Sequence, residues 1–341
     1  MKSRMARYLS LFSSLCLLLC LCACGRTADS AADGNATVVS TTASTTTTTV
    51  TTTTATTTVT AATQTEATVM TTTTLVTTTT TTTQPPTTTT TATPAKQWEL
   101  YWSDEFEGDS LDMSKWNIEG GTSDPVVKKA ENVKVEDGNC VITVRRDDST
   151  PGYEYSSAYV TTAYKFSFCY GRLEFRAKLP TGQGVWPALW TLGDNYLSIG
   201  DDTKAWPLCG EIDVMELVGS SDPGNPFPNK TVMGTLHWGP DRDNHQQAHT
   251  KKLLSGSLSE NYHVYAIEWD RDEIVWFVDD REYMRVSLDD PTMGTAFMQK
   301  HWIIMNINLY TWGGEFNSVG ETTPLPQSMY VDYVRVYKEK K

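Results

Sequence analysis

From Trp98 onward, hydrophobic residues recur every second position over short runs separated by turn residues, and no long helical period competes with them. The chain is therefore expected to build sheets. Val133 and Val135 alternate with polar neighbours, Asp137-Gly138 supplies a two-residue turn, and Val141-Ile142-Thr143-Val144 returns, which predicts a hairpin. Leu173, Phe175, Ala177 and Leu179 alternate with Arg172, Glu174, Arg176 and Lys178, the pattern of a strand with one wet face. His263 to Asp270, Ile274 to Val278 and Tyr283 to Val286 predict a meander with acidic turns, and Tyr330 to Tyr337 a closing strand. The fold expected is an all-β sandwich of two antiparallel sheets, without internal repeats.

The pattern before Trp98 is of another kind. Lys2, Arg4 and Arg7 precede the apolar run from Tyr8 to Leu21, with Ala23 and Cys24 after it, so residues 1–24 read as a signal peptide and the mature protein as extracellular. The run is short for a spanning helix, given a hydrocarbon core of ~30 Å. Leu21-Cys22-Ala23-Cys24 resembles a bacterial lipoprotein box with Cys22 where a small residue is usual. Lipidation of Cys24 and ordinary cleavage both stay open, giving a cell-surface lipoprotein or a freely secreted protein. Residues 25–96 are Thr-rich, with Pro85, Pro86 and Pro94, and bury too little apolar surface to offset chain entropy. They are expected to form a disordered linker, with a reach on the order of 200 Å when extended, and residues 97–341 a single domain.

Composition then narrows the partners. Without the five basic and three acidic residues of the first 96, the domain keeps 23 basic and 38 acidic residues, a net charge of −15. Such a field disfavours nucleic acid and favours a neutral polysaccharide over a sulfated one. Four of seven cysteines lie in the leader, leaving Cys140, Cys169 and Cys209, too few for a disulfide framework. A monomer resting on its own core is expected, touching membrane only through an N-terminal lipid.

The chemistry concentrates in Glu211-Ile212-Asp213-Val214-Met215-Glu216, three carboxylates within six residues of a strand-forming stretch. Burying them without a task is costly. Glu211 and Asp213 share a face by the period of two, whereas Glu216 has the opposite parity. One extra residue at Val214-Met215, a β-bulge, returns Glu216 to that face, and the bulge is predicted for this reason. Paired carboxylates about 5–5.5 Å apart suit a retaining glycosidase, and ~6.5–9.5 Å an inverting one. Mutual repulsion leaves one of the three protonated near neutral pH, as a general acid must be. A calcium site or a solvated acidic strand answers to the same residues.

Six further motifs extend the pattern: Trp102-Ser103-Asp104-Glu105-Phe106, Tyr170-Gly171-Arg172, Lys178-Leu179-Pro180 with Gly184-Val185-Trp186-Pro187-Ala188, Trp206-Pro207, Gly234-Thr235-Leu236-His237, and Val331 to Tyr337. Together they resemble glycoside hydrolase family 16 over residues 98–338, and the extra residue Met215 resembles its laminarinase-like branch. The resemblance implies a concanavalin-like β-jelly-roll with a substrate cleft on its concave sheet. It also implies Glu211 as nucleophile, Glu216 as acid/base and Asp213 between them, acting on β-1,3-glucan or mixed β-1,3-1,4-glucan. Trp186, Trp190 and Trp206 are the candidates for stacking on sugar rings. His237 is a candidate for hydrogen bonding substrate or the acid/base, and Cys209, of the same parity as Glu211, is expected as a small buried thiol. No cofactor is required, though the resemblance implies a structural calcium with Asp332 as one ligand.

Two segments depart from the family pattern. Many laminarinases carry an Asn-Asn-Glu segment that contacts sugar, and here the region reads Val126-Val127-Lys128-Lys129-Ala130-Glu131-Asn132. The Pro- and Gly-rich loop from Gly219 to Lys230 is also longer than expected. Three other readings remain: a galactanase of the same fold acting on agarose or porphyran, a non-catalytic glucan-binding surface protein, and a stalked adhesin.

Overall fold

The computed structural model describes residues 96–199, 201–217, 219, 229–254, 258–310, 318–321 and 323–340, together with the antiparallel pair Thr49–Val50 and Thr78–Thr79. The leader, Cys24, most of the linker and positions 220–228 of the long loop lie outside the described residues. The chain divides into two units, one of them residues 26–95. The other carries the sandwich.

The strands of the sandwich are β1 Trp98–Asp104, β2 Asn117–Glu119, β3 Gly121–Ser123, β4 Val126–Lys128, β5 Val133–Glu136, β6 Asn139–Arg146, β7 Tyr155–Ser157, β8 Tyr159–Thr161 and β9 Gly171–Lys178. They continue with β10 Val185–Gly193, β11 Glu211–Glu216, β12 Thr231–Trp238, β13 Gln246–Leu253, β14 His263–Trp269, β15 Glu273–Val278, β16 Arg281–Ser287, β17 His301–Leu309 and β18 Gln327–Glu339. Two short helices, α1 Asn195–Ile199 and α2 Asp202–Ala205, fill the connection between β10 and β11.

One sheet has the order β13-β12-β11-β10-β17-β8-β2, and the other runs β16-β15-β14-β9-β18-β6-β7-β4-β3, with β1 on β18 and β5 on β6. All pairs are antiparallel except β4 with β7. The predicted hairpin is present, with Asp137 and Gly138 both at positive φ, as a tight turn matched to strand twist requires. The acidic turn Asp279-Asp280 is built the same way. On β9, Leu173, Phe175 and Ala177 are buried while Glu174, Arg176 and Lys178 are half-buried, as their alternation predicts. Arg172, expected on the same wet face, is instead buried among the carboxylates of Glu174, Glu268 and Asp280.

The core lies between the sheets. Ile212, Val214, Leu236, Ile303, Met305 and Ile307 from the seven-stranded sheet pack with Phe175, Ile267, Trp276 and Val334 from its partner. The motifs that run through the sequence mostly serve this frame. Asp104 accepts hydrogen bonds from the Phe106 amide and the Trp116 indole, and Glu105 pairs with Arg335 across to β18. Gly171 admits no side chain, since a Cβ would come within 2.1 Å of the Tyr337 carbonyl oxygen.

A second, smaller apolar cluster covers the outer face of the seven-stranded sheet. It holds Trp190, Leu192, Tyr196, Trp206, Cys209, Trp302 and Ile304. Covered on both sides, all nine residues of β17 are buried.

Candidate active site

β11 lies between β10 and β12 and carries the three carboxylates. Trp190 pairs with Asp213 and Leu189 with Met215, so Val214 has no counterpart on β10. On the other side Asp213 pairs with Thr235 and Glu216 with Met233, so Val214 and Met215 together face Gly234. This is the predicted bulge. Ile212, Val214 and Met215 all enter the core, and Glu211, Asp213 and Glu216 all take the outer face.

Two contacts hold the bulge. The Trp276 indole, reaching across from β15, donates to the Asp213 carbonyl at 2.8 Å, satisfying a backbone group at the point where the register shifts. Gly234 makes the approach possible, because a Cβ there would lie 2.6 Å from the Trp276 ring and 2.7 Å from the Tyr283 hydroxyl.

Each carboxylate has its own surroundings. Glu211 is 4% exposed and accepts the Trp206 indole N–H at 2.9 Å. Asp213 is equally enclosed, and burial pushes its carboxyl well above the usual carboxylate range. His237 Nε2 stands 3.2 Å from Asp213 and 3.8 Å from Glu211. Glu216 is the most open of the three and accepts from the Trp186 indole at 3.1 Å and the Thr235 hydroxyl at 3.3 Å. Burial, reinforced by Asp213, raises it to about 8. Burial pulls His237 down to about 4, so it is neutral at pH 7.

The tryptophans are placed unequally. Trp186 is half-buried at the rim, edge-on to Tyr310. Trp190 is buried and donates to Asn306 at 2.7 Å, while Trp206 is 1% exposed. Trp186 therefore keeps an open ring for stacking, and Trp206 acts through its N–H. Cys209 is a fully buried thiol among the outer-face apolar residues, and Cys140, Cys169 and Cys209 are all free.

His245 is a site residue that sequence reasoning missed. Its Nε2 lies 2.8 Å from His237 Nδ1, and its ring stacks on His237 and packs at 4.8 Å from Trp206. It fixes which nitrogen of His237 faces the carboxylates. It precedes β13, and only the β12–β13 pairing brings it back over β12.

Asp332 lies on the other sheet, in β18, with its carboxylate 2.6 Å from Arg176 Nη1. A calcium there would share Asp332 with the Arg176 guanidinium and take the rest of its shell from backbone carbonyls. Among the described residues, the set whose ligand atoms converge as a metal requires is Glu211, Asp213 and His237.

Residues 95–339 match the family model described as beta-porphyranase A-D, GH16 domain. Glucan endo-1,3-beta-glucosidase A1 of Niallia circulans is 37% identical over 275 residues, covering 71% of this chain and 38% of that protein. The chain thus spans less than half the length of that relative. Beta-glucanase of Rhodothermus marinus is 37% identical over 262 residues, 72% of this chain and 86% of that one. The solved laminarinase catalytic domain of Thermotoga maritima superposes with a TM-score of 0.63 at 36% identity, over 72% of this chain and 100% of that domain. The family match spans the sandwich from residue 95 to 339, and on that ground the chain belongs to glycoside hydrolase family 16.

Proposed function

We propose that this domain hydrolyses internal bonds of β-1,3-glucan, with mixed β-1,3-1,4-glucan also accepted, by double displacement with retention at the anomeric carbon. The observation that carries the reading is the division of labour on β11. Glu216 holds a proton at neutral pH, while Glu211 meets an indole donor suited to an anionic nucleophile.

In the first step Glu211 attacks the anomeric carbon as the glycosidic C–O bond breaks, and Glu216 gives its proton to the departing oxygen. Water then attacks the same carbon, Glu216 takes its proton, and the Glu211 carboxylate leaves. Asp213, beside His237, stands between the two on the same face. No metal or cofactor enters these steps. Trp186, fixed to Glu216 through its N–H, offers its ring to the sugar nearest the acid.

The matched relatives named as β-1,3-glucanases and laminarinases support the substrate class. The β-porphyranase family model favours a second reading, a galactan as substrate. The domain's charge of −15 speaks for a neutral polymer over a sulfated one. Reducing-sugar release from laminarin, lichenan, agarose, porphyran and xyloglucan separates them, with laminarin expected fastest. NMR of the first product anomer tests retention. Cleavage of porphyran or agarose with none of laminarin would replace the glucan reading.

The N-terminal sequence supports export, followed by either anchoring at Cys24 or release. The linker would then carry a monomeric domain outward from the cell.

A further inference from the structure

The face that bears the catalytic carboxylates carries a second group of buried polar side chains. Glu216 pairs with Ala188, Ala188 with Asn306, Asn306 with Tyr159 and Tyr159 with Glu119, so the row crosses the sheet from β11 to β2 on one face. Asn308 stands opposite Trp186 on the same side. Lys128 enters from β4, where the parallel ladder sets it beside Ser157, and its ammonium lies 3.7 Å from the centroid of the Tyr159 ring.

These groups satisfy one another only in part. Among the described residues Lys128 Nζ has no hydrogen-bond acceptor, and Glu119 Oε1, Asn308 Oδ1 and Ser157 Oγ have no partner. Burial lowers Lys128 to about 8 and raises Glu119, each opposed by the charge of the other. Unpaired buried donors and acceptors cost stability, so several of opposite kind in one place suggest a ligand that completes them. Lys128 at 4% and Glu119 at 6% exposure are about as enclosed as Glu211 at 4%, which on the proposed mechanism must meet the substrate.

We propose that Lys128, Glu119 and Asn308 form a glycan subsite that takes neighbouring hydroxyl groups of an unsubstituted, neutral sugar residue. The proposal rests on the β-glucan reading and specifies what such a glycan must offer here. A hydroxyl group both donates and accepts, so a pair of them receives the Lys128 ammonium and gives to Glu119 or Asn308. A sulfate or carboxylate substituent only accepts. It would answer Lys128, leave Asn308 Oδ1 unpaired and confront the Glu119 carboxylate. The Tyr159 ring holds the ammonium by its π face. From β11 to β8 is three strand spacings, roughly 14 Å, so the sugar bound here lies further along the chain than the one being cleaved. Lys128 belongs to the Val126–Lys128 strand that pairs in parallel with β7.

The test compares wild type, Lys128→Met and Glu119→Gln on linear β-1,3-gluco-oligosaccharides of increasing length, with thermal unfolding of each. For long substrates kcat/KM should fall about ten- to a hundredfold in Lys128→Met, chiefly through KM. The shortest substrate that wild type cleaves should be cut at the wild-type rate. Loss that is equal at every length, or absent at every length, overturns the subsite. So does wild type cleaving a sulfated glycan faster than its desulfated form, with Lys128→Met abolishing the preference. Should Lys128→Met not fold, Asn308→Ala and Glu119→Gln carry the same length comparison. Wild type that cuts no neutral β-glucan removes the substrate reading itself, a result seen without any variant.

Discussion

Burial and the neighbouring Asp213 raise Glu216 to about 8, against the pull of His237, Trp186 and Thr235. Two consequences follow at the level of this one residue. Turnover should decline as pH rises past about 8, when the acid loses its proton, and a pH–rate profile of kcat/KM measures the midpoint. An unfolded glutamate ionises near 4.5, so across the window from there to about 8 unfolding releases a proton and stability falls as pH rises. Glu216→Gln should therefore unfold at a higher temperature than wild type at pH 7 to 8, with the gap closing near pH 4, while its activity is lost. Equal melting temperatures at pH 8 would show that the carboxyl is not held protonated by the fold. Glu211 makes the complementary case. Glu211→Ala should abolish turnover of glucan, and azide should restore cleavage of an activated aryl glycoside with inverted anomeric configuration, read by NMR. Ordinary activity in that variant would remove Glu211 from the nucleophile's role.

At the scale of the element, the site depends on one residue too many in β11. The bulge sends both Val214 and Met215 into the core and lets carboxylates of unlike parity share a face. Its supports are Trp276 beneath the Asp213 carbonyl and Gly234 opposite the unpaired residue. Gly234→Ala should clash with the Trp276 ring and cost about 1–3 kcal/mol. Trp276→Phe should cost a similar ~1–3 kcal/mol by stranding a buried carbonyl. Denaturant unfolding gives both values, and both variants should lose activity beyond what their folded fraction explains. Deleting Val214 would return the strand to strict alternation, keeping Glu216 on its face but drawn toward Asp213. A folded protein with strongly altered linkage preference is expected, and unchanged kinetics on laminarin would make the bulge irrelevant to catalysis.

At the scale of the whole chain, the proposed leader and linker would decide where the sandwich works. Two or more acyl chains on Cys24 would suffice for stable anchoring, at ~0.8 kcal/mol per buried CH₂, where one chain would not. Fractionation should then find the protein with membranes, and Cys24→Ser should release or misprocess it. Wild-type protein free in the medium, with an N-terminus at or after Cys24 and no lipid mass, would replace the anchor with simple secretion. The Thr-rich segment, expected from its composition to form a linker, would serve either arrangement.

What the sequence determined by itself follows from local rules. Alternation every two residues is a property of neighbours along one strand, so β9, the Asp137-Gly138 hairpin and the need for a bulge at Val214-Met215 were all legible before any fold was known. The carboxylates were legible because three charges in an apolar strand are expensive anywhere in a soluble protein. Tertiary structure decided what depends on strand order and on which face is covered. His245 reaches His237 only because β13 folds back on β12, and Trp276 reaches Asp213 only because the two sheets stack. Trp206 reads in sequence as a stacking platform, yet the outer-face cluster of α1, α2 and β10 buries its ring and leaves its N–H to act. Lys128 shows the same limit. It stands 83 positions before Glu211 in the chain, and the parallel pairing of β4 with β7 turns an unremarkable surface-type residue into a buried cation on the catalytic face.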